Sequence, residues 1–318
     1  MVVFRVASLF AGIGGTCLGF QQAGATVVWA SELDSAACAT YRANFGTGYL
    51  VEGDVAIMDS ASIPEFDILT AGFPCQPFSV AGQRLGFGDA RGALFFDFLR
   101  ILRERRPQAF LLENVKNLMT IDRGRTFDVI LVALDDAGYH FQFQILNTQH
   151  HGNLPQSRDR LYMVGFRNPR ANRTFQFPGP MPLTRRLDDV IDRHTQRADA
   201  YCYRESSQYF PLLKMEVRRR DRVYQLRRIY VRESSGPICP TLTANMGGGG
   251  HNVPLIVDDF GVRKLTEREA LALQGFPSDF KIPEKTARSH VYRQAGNTVS
   301  VPVVRRIARR MITVLASI

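Results

Sequence analysis

The 318-residue sequence has only five cysteines, Cys17, Cys38, Cys75, Cys202 and Cys239, and they are scattered. No C-x-x-C pair occurs among them, which excludes a zinc knuckle and a dithiol redox motif. A chain of this length does not need a disulfide framework, so a reducing compartment is expected. No apolar run reaches the length of a membrane span. The apolar N-terminus, MVVFRVASLF, has no basic leader and is interrupted by Arg5, so it reads as a first strand rather than a signal peptide. The sequence also lacks internal repeats, long low-complexity tracts and metal-ligand spacing. His150 and His151 are adjacent, would point apart on a strand, and read as ordinary polar residues.

What is present is a soluble-protein composition, with 45% hydrophobic and 22% charged residues, enough apolar content for a large domain plus a smaller one. The net charge of +10 fits a polyanionic partner, because basic charge steers and holds phosphate backbones. Through residue 166 apolar runs alternate with amphipathic ones. Strands are expected at 4–9, 26–30, 67–70, 109–112, 141–146 and 161–166, and helices at 14–23, 35–44, 92–103 and 126–137. The alternation predicts an α/β fold with a doubly wound, mostly parallel sheet covered on both faces. The texture changes after Asn168. NPRANRTFQFPGPMP reads as a linker, and 185–260 as short strands and loops rich in arginine. The end, SVPVVRRIARRMITVLASI, reads as a closing amphipathic helix whose arginines form a solvated face.

Two stretches carry the chemistry. SLFAGIGGTCLGF follows the first strand, and its Gly12, Gly14 and Gly15 permit a tight turn with close ligand approach. It is not G-x-G-x-x-G and has no P-loop lysine, so a dinucleotide or a nucleoside triphosphate is a poor match. Glu32 ends the second strand, where an acid can accept from ribose hydroxyls, and Asp54 follows a third, where it can meet an adenine amino group. Together they fit an adenosine cofactor without phosphates. In the second stretch, AGFPCQPFSVAG, Cys75 follows a short buried strand, with Pro74 restricting the backbone and Phe73 held extended. Glu113 in ENV ends the next core strand. Arg158 and Arg160 in QSRDR stand two apart at the entry to another, which would turn both to one face.

With these motifs in order, the chain resembles the DNA (cytosine-5) methyltransferases, the bacterial restriction–modification type most closely, over nearly its whole length. FAGIGG is similar to the family's S-adenosylmethionine turn, GFPCQPFS to its nucleophile loop, and ENV and QSRDR to its catalytic support motifs. RKLTEREALALQGFP and QAGNTVSVPV are similar to its two late motifs. The resemblance implies a Rossmann-like S-adenosylmethionine-dependent methyltransferase domain over 1–184, completed by 272–318. A smaller, irregular, β-rich target-recognition domain is implied at 185–271.

By the same resemblance, Cys75 attacks C6 of a cytosine flipped out of duplex DNA, and C5 then takes the methyl group. Glu113 bonds the exocyclic amino group and N3, while Arg158 and Arg160 hold the base carbonyl and a nearby phosphate or loop. Phe10, Gly12, Gly14, Gly15, Glu32, Asp54, Pro74, Leu94 and Asn297 form the implied cofactor set, with S-adenosylhomocysteine as product and no metal. Ser79, Gln225, Arg227, Arg228, Arg232 and Thr241 are the implied DNA contacts, with Gln225 as the residue that fills the vacated stack. The glycine-rich segment 76–91 is expected to close as a lid. The implied setting is a bacterial cytoplasm with a monomer on double-stranded DNA, away from membranes, and a cognate restriction endonuclease sharing the site without direct contact. Two alternatives stand beside this reading. The transfer-RNA-methylating branch carries a Cys-Phe-Thr signature that this sequence lacks, and a non-catalytic DNA-binding member would have lost Cys75 or Glu113.

Overall fold

The computed structural model describes residues 2–73, 93–227, 229–248 and 252–318. In chain order, β1 (Arg5–Leu9), α1 (Gly15–Gln21), β2 (Thr26–Glu32), α2 (Ser35–Phe45), β3 (Leu50–Glu52) and β4 (Ile68–Ala71) come first. They lead to α3 (Ala93–Arg105), β5 (Ala109–Val115), α4 (Arg125–Asp136), β6 (His140–Asn147), α5 (Thr148–Gly152), β7 (Gln156–Ser157), β8 (Asp159–Phe166) and α6 (Pro169–Thr174). The remainder is α7 (Phe210–Glu216), β9 (Tyr224–Arg227), β10 (Tyr230–Glu233), β11 (Cys239–Pro240), β12 (Leu255–Asp258), β13 (Gly261–Lys264), α8 (Glu267–Leu273), α9 (Arg288–Asn297) and α10 (Val301–Leu315). The chain forms two compact units, one of residues 1–146, 159–179 and 303–318, the other of 147–158 and 180–302.

The first unit is a seven-stranded sheet in the order β3-β2-β1-β4-β5-β8-β6. The strands from β3 to β5 are parallel, and β8 runs antiparallel to β5. Strands buried on both faces need continuous apolar runs, and Ile68-Leu69-Thr70-Ala71 is buried at every position. The order reverses between β1 and β4. That is the switch point where an open α/β sheet leaves a crevice at its carboxyl edge. Phe73, Phe95, Phe98, Phe110 and Tyr139 pack ring to ring through the core, with successive centroids 5.7, 6.3, 5.8 and 5.5 Å apart. On α10, Val303, Val304, Ile307, Ala308 and Met311 are buried and Arg309 and Arg310 exposed, as helical spacing predicts, but Arg305 and Arg306 are half-buried, and Arg306 donates to the Gly179 carbonyl. α10 lies so close to α1 that a Cβ at Gly19 would meet Val304 Cγ1 at 2.7 Å.

The second unit carries a four-stranded sheet, β10-β9-β12-β13, and a two-stranded pairing of β7 with β11. Leu213 and Val217 pack there with Tyr224, Leu226 and Leu255. Arg263 is fully buried and bonds Asp258, Glu269 and the carbonyls of Lys264 and Asp192. Thr266 and Glu269 complete a reciprocal cap on α8, so the LTERE segment starts its helix by its own side chains.

Three sequence expectations are corrected. The stretch read as a linker contains α6, whose first turn is capped by Asn168, and Phe175 beyond it is buried against Phe166 with centroids 5.5 Å apart. A short helix nucleated by Asn168 and Pro169 and anchored by two aromatics overrides the proline-rich composition. His150 and His151 lie on α5 and not on a strand. Asn147 caps this helix, and His151 Nδ1 lies 3.1 Å from the Asn147 carbonyl. The region 185–260 includes α7 besides its strands and loops. Among the described residues no helix is long and apolar enough to cross a membrane.

Candidate active site

At the carboxyl edge of the seven-stranded sheet the chain turns sharply after β1. Phe10 adopts φ 52°, a left-handed conformation rare for an aromatic residue, followed by Gly12 at 56° and Gly14 at 88°. Gly14 caps α1 and Gly15 opens it. Glu32, at the end of the adjacent β2, accepts from Gly12 N–H at 2.8 Å, Leu33 N–H at 2.9 Å and Asp34 N–H at 2.8 Å. Its carboxylate is thus pinned to the glycine turn by backbone donors. Next to it, β3 pairs Glu52 with Glu32, and Asp54 just beyond accepts from Ala56 N–H at 2.9 Å. Leu94 begins α3, half-buried against the sheet core.

The turn from Ser8 to Gln22 contains no lysine or arginine, and acids stand at the next two strand ends. This set of acceptors suits the hydroxyls and amino group of an adenosine and would repel phosphates, so the residues present fit S-adenosylmethionine. Two residues escaped the sequence reading. Leu33 is 67% exposed directly after Glu32, an apolar side chain at the mouth of the turn. Asp97 sits among the aromatics of α3. Burial raises its carboxyl above the usual range, and the Asp54 carboxylate adds to the rise. Its signal was a lone acid within LFFDFLRIL.

The entry to the cysteine loop is held from β5. The β4–β5 register pairs Ala71 with Leu112 and so brings Gly72 beside Glu113. A Cβ at Gly72 would lie 3.4 Å from Glu113 Oε2. Asn114 Nδ2 donates to the Phe73 carbonyl at 2.8 Å, and the Phe73 ring packs on Phe95. Glu113 meets Arg160 across the antiparallel β5–β8 pair, Nε to Oε1 at 3.2 Å, both side chains nearly buried. Arg160 also donates to the Asp159 carbonyl. A largely buried, oriented carboxylate is therefore held next to the backbone that leads into Pro74 and Cys75.

Arg158 differs from the expectation that both arginines share a face. It lies between β7 and β8 and is buried in the second unit, donating to the carbonyls of Leu242 at 2.7 Å, Thr298 at 2.7 Å and Gly296 at 3.1 Å. The strand is interrupted at this residue, so the two-residue alternation does not carry through it. The glycine of QAGNTV is explained in the same place: a Cβ on Gly296 would fall 2.1 Å from the Thr243 carbonyl carbon. Asn297 is exposed at the last residue of α9.

Pro74, Cys75, Ser79 and the 76–91 segment lie outside the described residues, as does Arg228. The four described cysteines, Cys17, Cys38, Cys202 and Cys239, all have thiols pushed upward by burial, Cys38 to about 12 with Glu52 and Glu32 adding to the rise. Each is held as the thiol, the unreactive form.

In the second unit, β9 and β10 form a hairpin in which Arg232 faces Gln225 and Tyr230 faces Arg227, so these four side chains share one face. Tyr224 and Leu226 on the other face are buried. The polar face borders a cavity of about 600 Å³, lined also by Thr241 and Asn245. Thr241 Oγ1 donates to the Ser157 carbonyl at 2.6 Å. At the hairpin tip, Ile229 is 86% exposed.

The profile of C-5 cytosine-specific DNA methylases matches residues 4–313. The chain is 47% identical to the Type II methyltransferase M.Bsp6I of Bacillus sp. (strain RFL6), over 97% of this chain and 98% of that one. It is 42% identical to the Type II methyltransferase M.NlaX of Neisseria lactamica, over 99% and 98%. Among solved structures, a DNMT2 variant of Spodoptera frugiperda superposes with a TM-score of 0.76 at 19% identity, covering 97% of this chain and 99% of that one, a likeness of fold. A match across nearly the full length, carrying the glycine turn, the ENV carboxylate and its arginine, means that this chain belongs to the C-5 cytosine-specific DNA methylase family and is a DNA (cytosine-5)-methyltransferase.

Proposed function

We propose that the protein methylates C5 of a cytosine flipped from a short, specific duplex site, through a covalent bond between Cys75 and C6. The observation that carries this reading is the Glu113–Arg160 pair at the end of β5, against the backbone that leads into Cys75. Cytosine C5 is a weak nucleophile, and addition of the Cys75 thiolate to C6 turns it into an electron-rich centre. Glu113 accepts from the amino group and shares a proton with N3, relieving charge as it builds on the ring, and Arg160 keeps that carboxyl group aimed while approaching the base carbonyl. S-adenosylmethionine supplies the methyl group as a sulfonium and is released as S-adenosylhomocysteine. Loss of the C5 proton then restores the ring double bond and expels the Cys75 thiolate. Arg158 acts within its own unit as a clamp on the carbonyls of Leu242 and Thr298.

The cofactor is assigned to Phe10, Gly12, Gly14, Gly15, Glu32, Asp54, Pro74, Leu94 and Asn297, with Leu33 added against the adenine. The methyl donor's positive charge suits a turn ringed by acids. Residues 1–184 and 272–318 act as the catalytic domain and 185–271 as the target-recognition domain, with Ser79, Gln225, Arg227, Arg228, Arg232 and Thr241 on DNA. A net charge of +10 together with an acidic cofactor turn fits a polyanionic substrate and a cationic methyl donor. The protein is assigned to a bacterial cytoplasm, working as a monomer that protects DNA from a restriction endonuclease acting at the same site.

The test is to incubate the protein with S-adenosylmethionine and unmethylated DNA of mixed sequence and map modified cytosines by bisulfite sequencing, with Cys75→Ser as control. Methylation in one recurring context, abolished in the control, is expected. Methylation that survives Cys75→Ser would overturn the covalent mechanism.

A further inference from the structure

The polar atoms around the hairpin cavity are unequally committed. Ser234 donates to the Gly236 carbonyl at 2.7 Å and accepts from Val223 N–H at 3.1 Å. Asn252 donates to the Asn245 carbonyl, Thr241 to the Ser157 carbonyl, and the Glu233 carboxylate faces Arg222 Nε at 3.2 Å. Among the described residues, neither Gln225 nor Arg232 donates to a backbone carbonyl in this way. They are direct cross-strand partners on the open face of the hairpin, and both line the cavity. A guanidinium can only donate, so the Gln225 atom that meets Arg227 Nη2 at 2.9 Å is its amide oxygen. That leaves the Gln225 amide nitrogen as the group available to a ligand. Among the described residues, no carboxylate or carbonyl bonds the Arg232 guanidinium. The open face therefore offers donors from both sides of one cross-strand pair.

Resting on the methyltransferase reading above, we infer that Gln225 and Arg232 are the specificity-determining pair that reads one guanine in the major groove. Arg227 is the positioning residue that fixes Gln225 as a donor. In the major groove guanine presents two acceptors, N7 and O6, whereas adenine presents the N7 acceptor beside the N6 amino donor. A glutamine free to use both its oxygen and its nitrogen pairs bidentately with adenine. With its oxygen turned to Arg227, Gln225 matches guanine and sets no acceptor against the adenine amino group. Gln225 is thereby a reader of a base that stays in the stack, in place of the stack-filling role first expected of it. The exposed Tyr230 lies opposite Arg227 on the same face, where it extends the contact along the groove.

The experiment first maps the methylated context of the wild-type protein. Each guanine of that site is then replaced, one at a time, by 7-deazaguanine, which lacks the N7 acceptor, and DNA affinity is measured by titration. The wild-type protein is expected to lose about 5- to 100-fold in affinity at one guanine. Arg232→Ala is expected to bind intact DNA more weakly and to lose nothing further at that same guanine. Because affinity is the readout, the cycle decides even if the variant turns over slowly. In bisulfite profiles Arg227→Ala is expected to admit adenine at that position, while Arg227→Lys, which keeps a donor, holds to guanine.

Insensitivity at every guanine, or an undiminished 7-deazaguanine effect in Arg232→Ala, would overturn the assignment. So would a uniform loss over all sequences with a shallower salt dependence, the mark of a phosphate contact. If Arg227→Ala keeps strict guanine selection, Arg227 loses its positioning role. Failure of the underlying reading looks different, because the wild-type protein would then methylate no cytosine at all.

Discussion

The interior of the seven-stranded unit is apolar, from Ala7 and Leu9 through Phe98 and Leu112 to Met163, whereas the largest fully buried side chains of the other unit include Arg158 and Arg263. Both units bury apolar side chains, and they differ in the polar groups buried beside them. A seven-stranded sheet with flanking helices buries enough to fix its strands by packing, and its functional groups then hang on strand ends whose positions the sheet dictates. The four-stranded sheet packs a cluster around Tyr224 and Leu255. Its unit is held in addition by guanidinium groups that satisfy several carbonyls and carboxylates at once. Such buried clamps add specificity of shape more than net stability, and they are costly to break one partner at a time. One consequence is that the face of the β9–β10 hairpin is left to polar side chains that packing does not need.

If that contrast is right, Arg263→Met has the largest effect on stability. It leaves Asp258 and Glu269 buried without their cation and is expected to cost about 3–5 kcal/mol. Hydrogen exchange would show the loss in β12, β13 and α8, with β1, β4 and β5 still protected. Equal loss of protection in both sheets would break the comparison. Gly296→Ala comes next. Its Cβ would strike backbone atoms of Thr243 and Ala244, which cannot rotate away as a side chain could, so about 3 kcal/mol or more is expected in a thermal or urea melt.

The two arginines of QSRDR divide the comparison more finely. Arg158→Lys gives up the planar fork that reaches three carbonyls and is expected to destabilise by about 1–3 kcal/mol. Arg160→Lys should change the melt little and lower kcat about 100-fold, because its partner is the carboxylate proposed to meet the base. A melt and a single-turnover methylation assay on both variants would separate these roles, and a reversed outcome would exchange them.

The smallest effect concerns Asp97. Its raised carboxyl pKa means that the folded chain keeps a proton over a pH range in which the unfolded chain has lost it, so stability falls as pH rises through that window. Asp97→Asn removes the cost of the buried charge. A modest rise in Tm is expected near neutral pH, fading below the ordinary value of 3.8, where the acid is protonated in both states. A rise that is the same at every pH would point to packing instead.

Much of the first unit could be read before any coordinates. Ala109 to Leu112 is apolar without interruption and Ile68 to Ala71 is broken only by Thr70, as suits strands buried on both faces, and they announce where Gly72 and Glu113 follow. The glycine turn was legible because positive φ at Gly12 and Gly14 calls for that residue. Phe10 was legible only as an aromatic near the turn, since nothing in a sequence marks a left-handed phenylalanine. The composition of 168–182 misled, because proline and arginine content says nothing of an aspartate-like cap at Asn168 or of Phe175 meeting Phe166. Arg158 misled for a related reason. Its spacing from Arg160 is real, but its partners are carbonyls 84 to 140 residues away in sequence.

The sequence by itself determined the strand–helix alternation, the glycine-rich turn after the first strand, the lone thiol after a buried strand and the family to which the motifs belong. These are local matters, set by periodicity, backbone freedom and residue chemistry within a few positions. Only the tertiary structure decided which arginine serves the Glu113 carboxylate and which clamps backbone. It alone turned the Gln225 oxygen toward Arg227, and it alone buried Arg263 between two acids. Those choices depend on which distant groups arrive within hydrogen-bond reach, and no local pattern encodes that meeting.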